Sequence, residues 1–172
     1  MDIKHNGVVW FAHGKESGPW GVKIKRLAAI AKNIGFAVES PDYRFSMNPD
    51  ERIEYLLSLQ IKGHPLVMVG SSMGGYVSAH ASKTLKPNLL FLLAPALYMP
   101  GYDEEPLAQA DRFVVIHGKH DDIVPPASAI RFSGTFNADL HIIDSGHTLT
   151  DKIPFLEYLF SDALQKVLKK ME

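Results

Sequence analysis

Leu66-Val67-Met68-Val69-Gly70-Ser71-Ser72-Met73-Gly74-Gly75 carries an apolar run into Gly-x-Ser-x-Gly, and a helix-like pattern follows at once. The run predicts a buried strand, and the pattern after it predicts a helix, so Ser72 falls on the turn between them. A hydroxyl at the tip of so sharp a turn stands clear of the sheet, with the next backbone N–H aimed at the same space. Glycines at 70 and 74 fit this reading, because side chains there would collide across the turn. A chain of this length matches the five-residue pattern by chance about once in twenty, so its surroundings decide what it means.

Working outward, short apolar runs alternate with helix-period segments from end to end, which argues for βα units and a parallel sheet. Six strands are expected, at Val8–His13, Phe36–Ser40, Leu66–Gly70, Leu89–Ala94, Phe113–His117 and Leu140–Asp144. Helices are expected at Trp20–Ile34, Pro49–Lys62, Met73–Leu85, Pro126–Phe132 and Lys152–Lys169, and the first four connect successive strands. Continuous apolar strands such as Leu89-Leu90-Phe91-Leu92-Leu93 imply burial on both faces. The expectation is a single domain over residues 1–172, an α/β/α sandwich of three layers around a six-stranded, mostly or wholly parallel sheet. Pro95–Pro106 is a polar, proline-rich stretch able to cover a site and too short for a separate cap.

Composition narrows the class. With 172 residues and 46% apolar content the chain can bury a core without disulfides or metal. Cysteine is absent, which removes a thiol nucleophile and thiolate metal ligands from consideration. The N-terminal Met1-Asp2-Ile3-Lys4-His5-Asn6-Gly7 lacks a signal-like apolar core, and no run approaches the roughly 18 residues of a membrane span. A cytoplasmic, soluble protein is expected. The net charge is −1, and the basic residues are scattered apart from a group at Lys23, Lys25 and Arg26, read as an exposed helix face. Nucleic acid is therefore not an expected partner.

Open parallel sheets bind ligands beyond the carboxyl ends of their strands, where the strand order reverses. At those ends stand His13-Gly14-Lys15, then Ser71-Ser72, then His117-Gly118-Lys119-His120-Asp121-Asp122, then Ser145-Gly146-His147. Serine, aspartate and histidine thus occur in that order along one rim.

The order and its local contexts resemble the α/β-hydrolase superfamily, and the resemblance spans nearly the whole chain. Phe11-Ala12-His13-Gly14 is similar to the oxyanion-loop signature, Gly70–Gly75 (GSSMGG) to the nucleophile elbow, 117–125 (HGKHDDIVP) to the acid motif, and 144–149 (DSGHTL) to the histidine motif. His-Gly followed by Ser-Gly-Pro-Trp-Gly-Val-Lys, with the elbow continuing as Gly-Tyr-Val, resembles small capless bacterial esterases of the YqiA kind. The acid motif is closer to the dienelactone hydrolase and carboxylesterase or thioesterase branches. The resemblance implies a minimal hydrolase core without a cap, and strands one and three as neighbours, which puts Gly14 beside Ser72.

A serine hydroxyl needs a base within hydrogen-bond reach, and the base needs a group that fixes its tautomer. On this reading Ser72 is the nucleophile, His147 the base and Asp121 the acid, with Gly146 giving the histidine loop room for close approach. The plain alternative for Ser72 is a helix cap. Ser71 points elsewhere. Asp122 and Asp144 compete for the acid's role, the first as a solvent-facing or capping residue, the second as a loop anchor. His13 and His117 read as structural hydrogen-bonders, and a metal site of His117, His120 and Asp121 matches no ligand motif. The backbone N–H groups of Met73 and Lys15 are the expected oxyanion donors. Trp20, Tyr98 and Met99 are candidates for the acyl pocket. The expected activity is cofactor-independent hydrolysis of small or short-chain carboxylic esters or thioesters, with a small-molecule substrate. Rival classes are a non-catalytic binding module on the same fold and a nucleotide-binding α/β domain, whose phosphate loop is missing here. Substrate identity and oligomeric state stay open.

Overall fold

Alternate residues of the central strands feed two separate apolar cores, and this sets the layers. The computed structural model describes residues 6–102 and 105–172. Along the chain it forms β1 (Val8–Ala12), α1 (Val22–Ile34), β2 (Ala37–Glu39), α2 (Pro49–Ser58), β3 (Leu66–Ser71), α3 (Met73–Leu85), β4 (Leu89–Leu93), β5 (Phe113–Gly118), α4 (Pro126–Phe136), β6 (Asp139–Ile143), a 3₁₀ turn (Thr150–Lys152) and α5 (Ile153–Lys169). Val67, Val69, Leu89, Phe91, Val114 and Ile116 pack on one face with Leu27 and Ala31 of α1 and Phe160 and Leu164 of α5. Met68, Leu90, Leu92 and Val115 pack on the other with Leu56, Tyr76, Val77 and Phe132 of α2, α3 and α4. Two-sided burial is why β4 is apolar at every position.

The sheet order is β2-β1-β3-β4-β5-β6, and every neighbouring pair is parallel. As expected, β1 lies beside β3. Their register pairs Ala12 with Gly70, so the chain leaves both strands at the same level, where the order reverses.

The strands match expectation to within a residue or two. Helix α2 is shorter than expected, because Leu59 adopts an extended backbone and ends the helical bonding at Ser58. Helix α4 runs one turn further, to Phe136, since Phe132 and Phe136 stack at 4.5 Å and Phe136 also meets Phe113. Between β4 and β5 the described residues form no helix or strand, so no cap is inserted there. Among the described residues no helix is long and apolar enough to cross a membrane.

Candidate active site

The turn from β3 into α3 is closed by contacts that exclude side chains at two glycines. A Cβ on Gly70 would lie 2.3 Å from the Gly74 carbonyl oxygen, and one on Gly74 only 2.0 Å from that of Ala12. Between them Ser72 takes φ 54° and ψ −120°, a conformation costly for a residue with a Cβ. It is held there by its own backbone, the N–H donating to Leu93 and the carbonyl accepting from Gly75 and Ala96. The side chain makes no helix-capping bond. Instead Ser72 Oγ stands 2.9 Å from His147 Nε2.

His147 Nδ1 lies 2.7 Å from Asp121 Oδ2. A carboxylate oxygen accepts, so Nδ1 carries the proton and Nε2 is left to accept the Ser72 hydroxyl. Asp121 is fixed in turn: its Oδ1 accepts from the N–H groups of Ile123 and Val124 at 2.9 and 2.8 Å. Buried His117 approaches Oδ2 at 3.1 Å while also bonding the Val124 carbonyl at 2.9 Å. The loops bearing Asp121 and His147 are joined through their backbones, Lys119 N–H to Ile143 and His120 N–H to Ser145. The Ser145 hydroxyl donates to Asp151, which tethers the histidine loop from its other side.

Rivals for these positions go elsewhere. Asp144 is exposed and pairs with His120 at 2.7 Å, a bond that holds its carboxyl below the usual range. Asp122 is exposed and makes no capping bond, the residue before α4 being Pro125. Because His120 turns outward to Asp144, the weighed histidine–aspartate metal cluster does not assemble, and among the described residues no group of three metal-ligating side chains does. The crowded glycine near His147 is Gly118, whose Cβ would lie 2.4 Å from the Gly146 carbonyl oxygen. At Gly146 itself the space is open, so the expectation for that glycine is corrected.

A cleft of about 780 Å³ opens over Ser72 and His147, lined among others by Gly14, Lys15, Met73, Met99, Tyr102 and Ile123. Lys15 and Met73, the expected oxyanion donors, both border it. A Cβ on Gly14 would lie 3.5 Å from Ser72 Cβ, which measures how close this loop runs to the elbow. Of the three pocket candidates only Met99 lines the cleft. Trp20 is 43% exposed beneath Lys32. Tyr98 stacks under the Arg131 guanidinium at 4.1 Å, on the α4 side. A second cavity, of about 420 Å³, lies at the far end of the sheet beside Asn88, Asp111 and Arg112, where β4 and β5 begin.

Two residues of the site escaped the sequence reading. Asn48 caps α2 by accepting from the Asp50 and Glu51 N–H groups, and Pro49 opens the helix. Arg52 then falls one turn in, on the stripe that also buries Leu56, and is the bulkiest fully buried side chain. Its guanidinium donates to the carbonyls of Ser46, Gly14 and Lys15 at 2.8, 3.0 and 3.0 Å. Burial holds its pKa below the usual arginine value. His13, buried beside it, accepts from the Tyr43 N–H at Nε2 and bonds the Gly14 carbonyl through Nδ1, which makes it the structural hydrogen-bonder it was read to be. Lys23 is the second residue, and here the exposed-face reading is corrected. It lies four positions before buried Leu27, and its ammonium turns into the cleft to donate to Ser71 Oγ at 3.1 Å.

Comparison with known proteins agrees with this architecture. A protein described as a hydrolase of the α/β superfamily, from Xanthomonas campestris pv. campestris, superposes with a TM-score of 0.84 at 27% identity, covering 95% of this chain and 99% of its own. An α/β serine hydrolase without a lid from Xanthomonas campestris gives 0.70 at 18% identity, over 95% and 83%. Est1E from Butyrivibrio proteoclasticus, solved with ferulic acid, gives 0.71 at 15% identity, over 95% and 90%. No family model matches the chain. A stretch of 47 residues is 38% identical to part of the chloroplastic copper-transporting ATPase PAA2 of Arabidopsis thaliana, but it spans only 5% of that protein. Sheet order, elbow and neighbours together place the chain in the α/β-hydrolase superfamily, as a small core without a cap among the described residues.

Proposed function

We propose that this protein is a serine hydrolase that cleaves small carboxylic esters or thioesters through an acyl-enzyme. The observation that carries the reading is the hydrogen-bonded chain from Ser72 Oγ through His147 to Asp121, at 2.9 and 2.7 Å. Ser72 attacks the carbonyl carbon while His147 Nε2 takes the hydroxyl proton, and Asp121 stabilises the imidazolium that forms. The N–H groups of Met73 and Lys15 meet the charge growing on the carbonyl oxygen. His147 returns the proton to the leaving alcohol or thiol, then takes one from a water that frees the acid and restores Ser72. Hydrolysis by this route needs no cofactor. An esterase-fold neighbour solved with ferulic acid supports a small-molecule substrate, and the cleft bordered by Met99 and Ile123 supports a short or compact acyl group. A cytoplasmic setting and a single domain over the whole chain belong to the same proposal.

The test is labelling by a fluorophosphonate probe, followed by turnover of a panel of acyl esters and thioesters of graded length. Labelling and turnover by wild type, both lost in Ser72→Ala, are expected, with the best rates on short chains. A folded wild type that neither labels nor turns over would instead point to a binding module.

A further inference from the structure

We propose that Lys23 is the anion-binding residue of this site, and that the preferred substrates carry a carboxylate or similar oxyanion close to the scissile carbonyl. The proposal rests on the serine-hydrolase reading and narrows its substrate class.

The ammonium of Lys23 lies inside the cleft that holds Ser72 and His147. It can donate three hydrogen bonds, and one goes to Ser71 Oγ at 3.1 Å. Among the described residues no carboxylate comes within 4.0 Å of it. Glu16 also borders the cleft, but it is exposed and outside that distance. The negative charge that acts on Lys23 is Asp121, whose two oxygens are already bound by Ile123, Val124, His117 and His147. Lys23 is half-buried. A cation partly withdrawn from water with no carboxylate in contact is costly, and burial pulls this amine down to about 8 against the opposing charge of Asp121. At neutral pH it still carries its proton. What would satisfy it is an oxyanion on a ligand seated one residue from the nucleophile.

The geometry of the chain explains how a helix residue comes to be there. Lys23 belongs to the first turn of α1, whose N-terminus follows the loop bearing Gly14 and Lys15. A long flexible stem from that turn reaches over the elbow, whereas Lys25 and Arg26, two and three positions on, face solvent.

The test compares matched esters at pH 7. The pair 4-nitrophenyl hydrogen succinate and 4-nitrophenyl methyl succinate puts the anion on the acyl side. The pair 4-carboxyphenyl butyrate and 4-acetylphenyl butyrate puts it on the leaving group. Wild type is expected to favour the anionic member of at least one pair in kcat/KM by about tenfold or more, the scale of a charge-assisted hydrogen bond. Lys23→Met should bring that ratio close to one, while Lys23→Arg and Ser71→Ala preserve it. A purely structural lysine would lower both members alike and leave the ratio unchanged.

A binding arm separates this proposal from the hydrolase reading. Monomethyl succinate is titrated calorimetrically into Ser72→Ala and into Ser72→Ala/Lys23→Met. Binding that depends on Lys23 supports the proposal even where no ester is turned over, in which case only the hydrolase reading falls. No anionic preference in either pair, together with no Lys23-dependent binding, overturns it.

Discussion

Arg52 donates to the carbonyl of Lys15 across 3.0 Å, so a helix packed on one face of the sheet grips the backbone of the loop that runs beside Ser72. The same guanidinium bonds Gly14 and Ser46. It is a buried cation neutralised by carbonyl dipoles, with no carboxylate within 4.0 Å among the described residues. Arg52→Met would take the donor from the Ser46 and Lys15 carbonyls and leave the Gly14 carbonyl only its bond to His13, at about 1–3 kcal/mol of stability. With the Lys15 N–H no longer held in place, kcat on a reporter ester should fall by about 10²-fold. Arg52→Lys should recover little, because an ammonium cannot span three separate carbonyls as a planar fork does. Urea unfolding and steady-state kinetics check this. A variant of reduced stability but wild-type kcat would show that the loop holds its position unaided.

Asp121→Asn isolates the tautomer. The amide can keep an oxygen facing the Ile123 and Val124 N–H groups, which turns its NH₂ toward His147 Nδ1. The imidazole must then carry its proton on Nε2, where it cannot accept from Ser72. A fall in kcat of about 10⁴-fold is expected. Asp122→Asn and Asp144→Asn should stay within about twofold, since both side chains lie outside the bonded chain.

His13 predicts an acid limit to stability. Burial lowers its pKa below 6.5, opposed by its bond to the Gly14 carbonyl, with Arg52 also lowering it and Asp42, at 3.8 Å, raising it. Near pH 6.5 and below, the unfolded chain therefore binds a proton that the folded protein refuses, so stability falls as pH drops through that range and is retained above it. Replacing His13 with Leu should flatten this slope between pH 7.5 and 5.5 while lowering stability at pH 7.5 by about 1–3 kcal/mol, because the Tyr43 N–H loses its acceptor. Urea unfolding at the two pH values is the measurement.

Lys23 should be a residue that costs the fold something. Its pKa falls from 10.5 to about 8 on burial, so the penalty is present in full below about 8 and is relieved as pH rises toward the unfolded value. Lys23→Met is expected to stabilise the protein at pH 7 by about 1–3 kcal/mol, raising Tm by several degrees. The gain should shrink by pH 10. Differential scanning calorimetry at both pH values tests it, and an unchanged or lower Tm at pH 7 would show that the amine is not under desolvation stress.

Local signals carried far in this chain. Gly70, Ser72 and Gly74 announce a tight strand-to-helix turn because only glycine fits at 70 and 74, where an added Cβ would lie 2.3 and 2.0 Å from a backbone carbonyl oxygen. The inner strands were legible from apolar runs, β3 and β4 being buried on both faces, while the edge strands β2 and β6 are exposed or half-buried. Signals failed where a polar side chain uses an apolar position. Arg52 shares the inward stripe with Leu56, and Lys23 shares one with Leu27, yet charge alone suggested solvent in the case of Lys23. A cation on a helix's buried stripe was the available clue. Trp20 and Tyr98 failed in the opposite sense, since an aromatic near a loop says nothing of which side of that loop faces the cleft.

The sequence by itself determined the alternating βα order and the elbow at Ser72, because backbone sterics and apolar periodicity act over a few residues at a time, and its resemblance to the α/β-hydrolase motifs singled out Asp121 and His147 as candidates. Only the tertiary structure decided that Asp121 rather than Asp144 meets the imidazole, that Arg52 grips the loop before it, and that Lys23 turns inward. These depend on parallel register and on the paths of loops between distant strands. There, one residue's orientation is set by packing from elements that are far away along the chain.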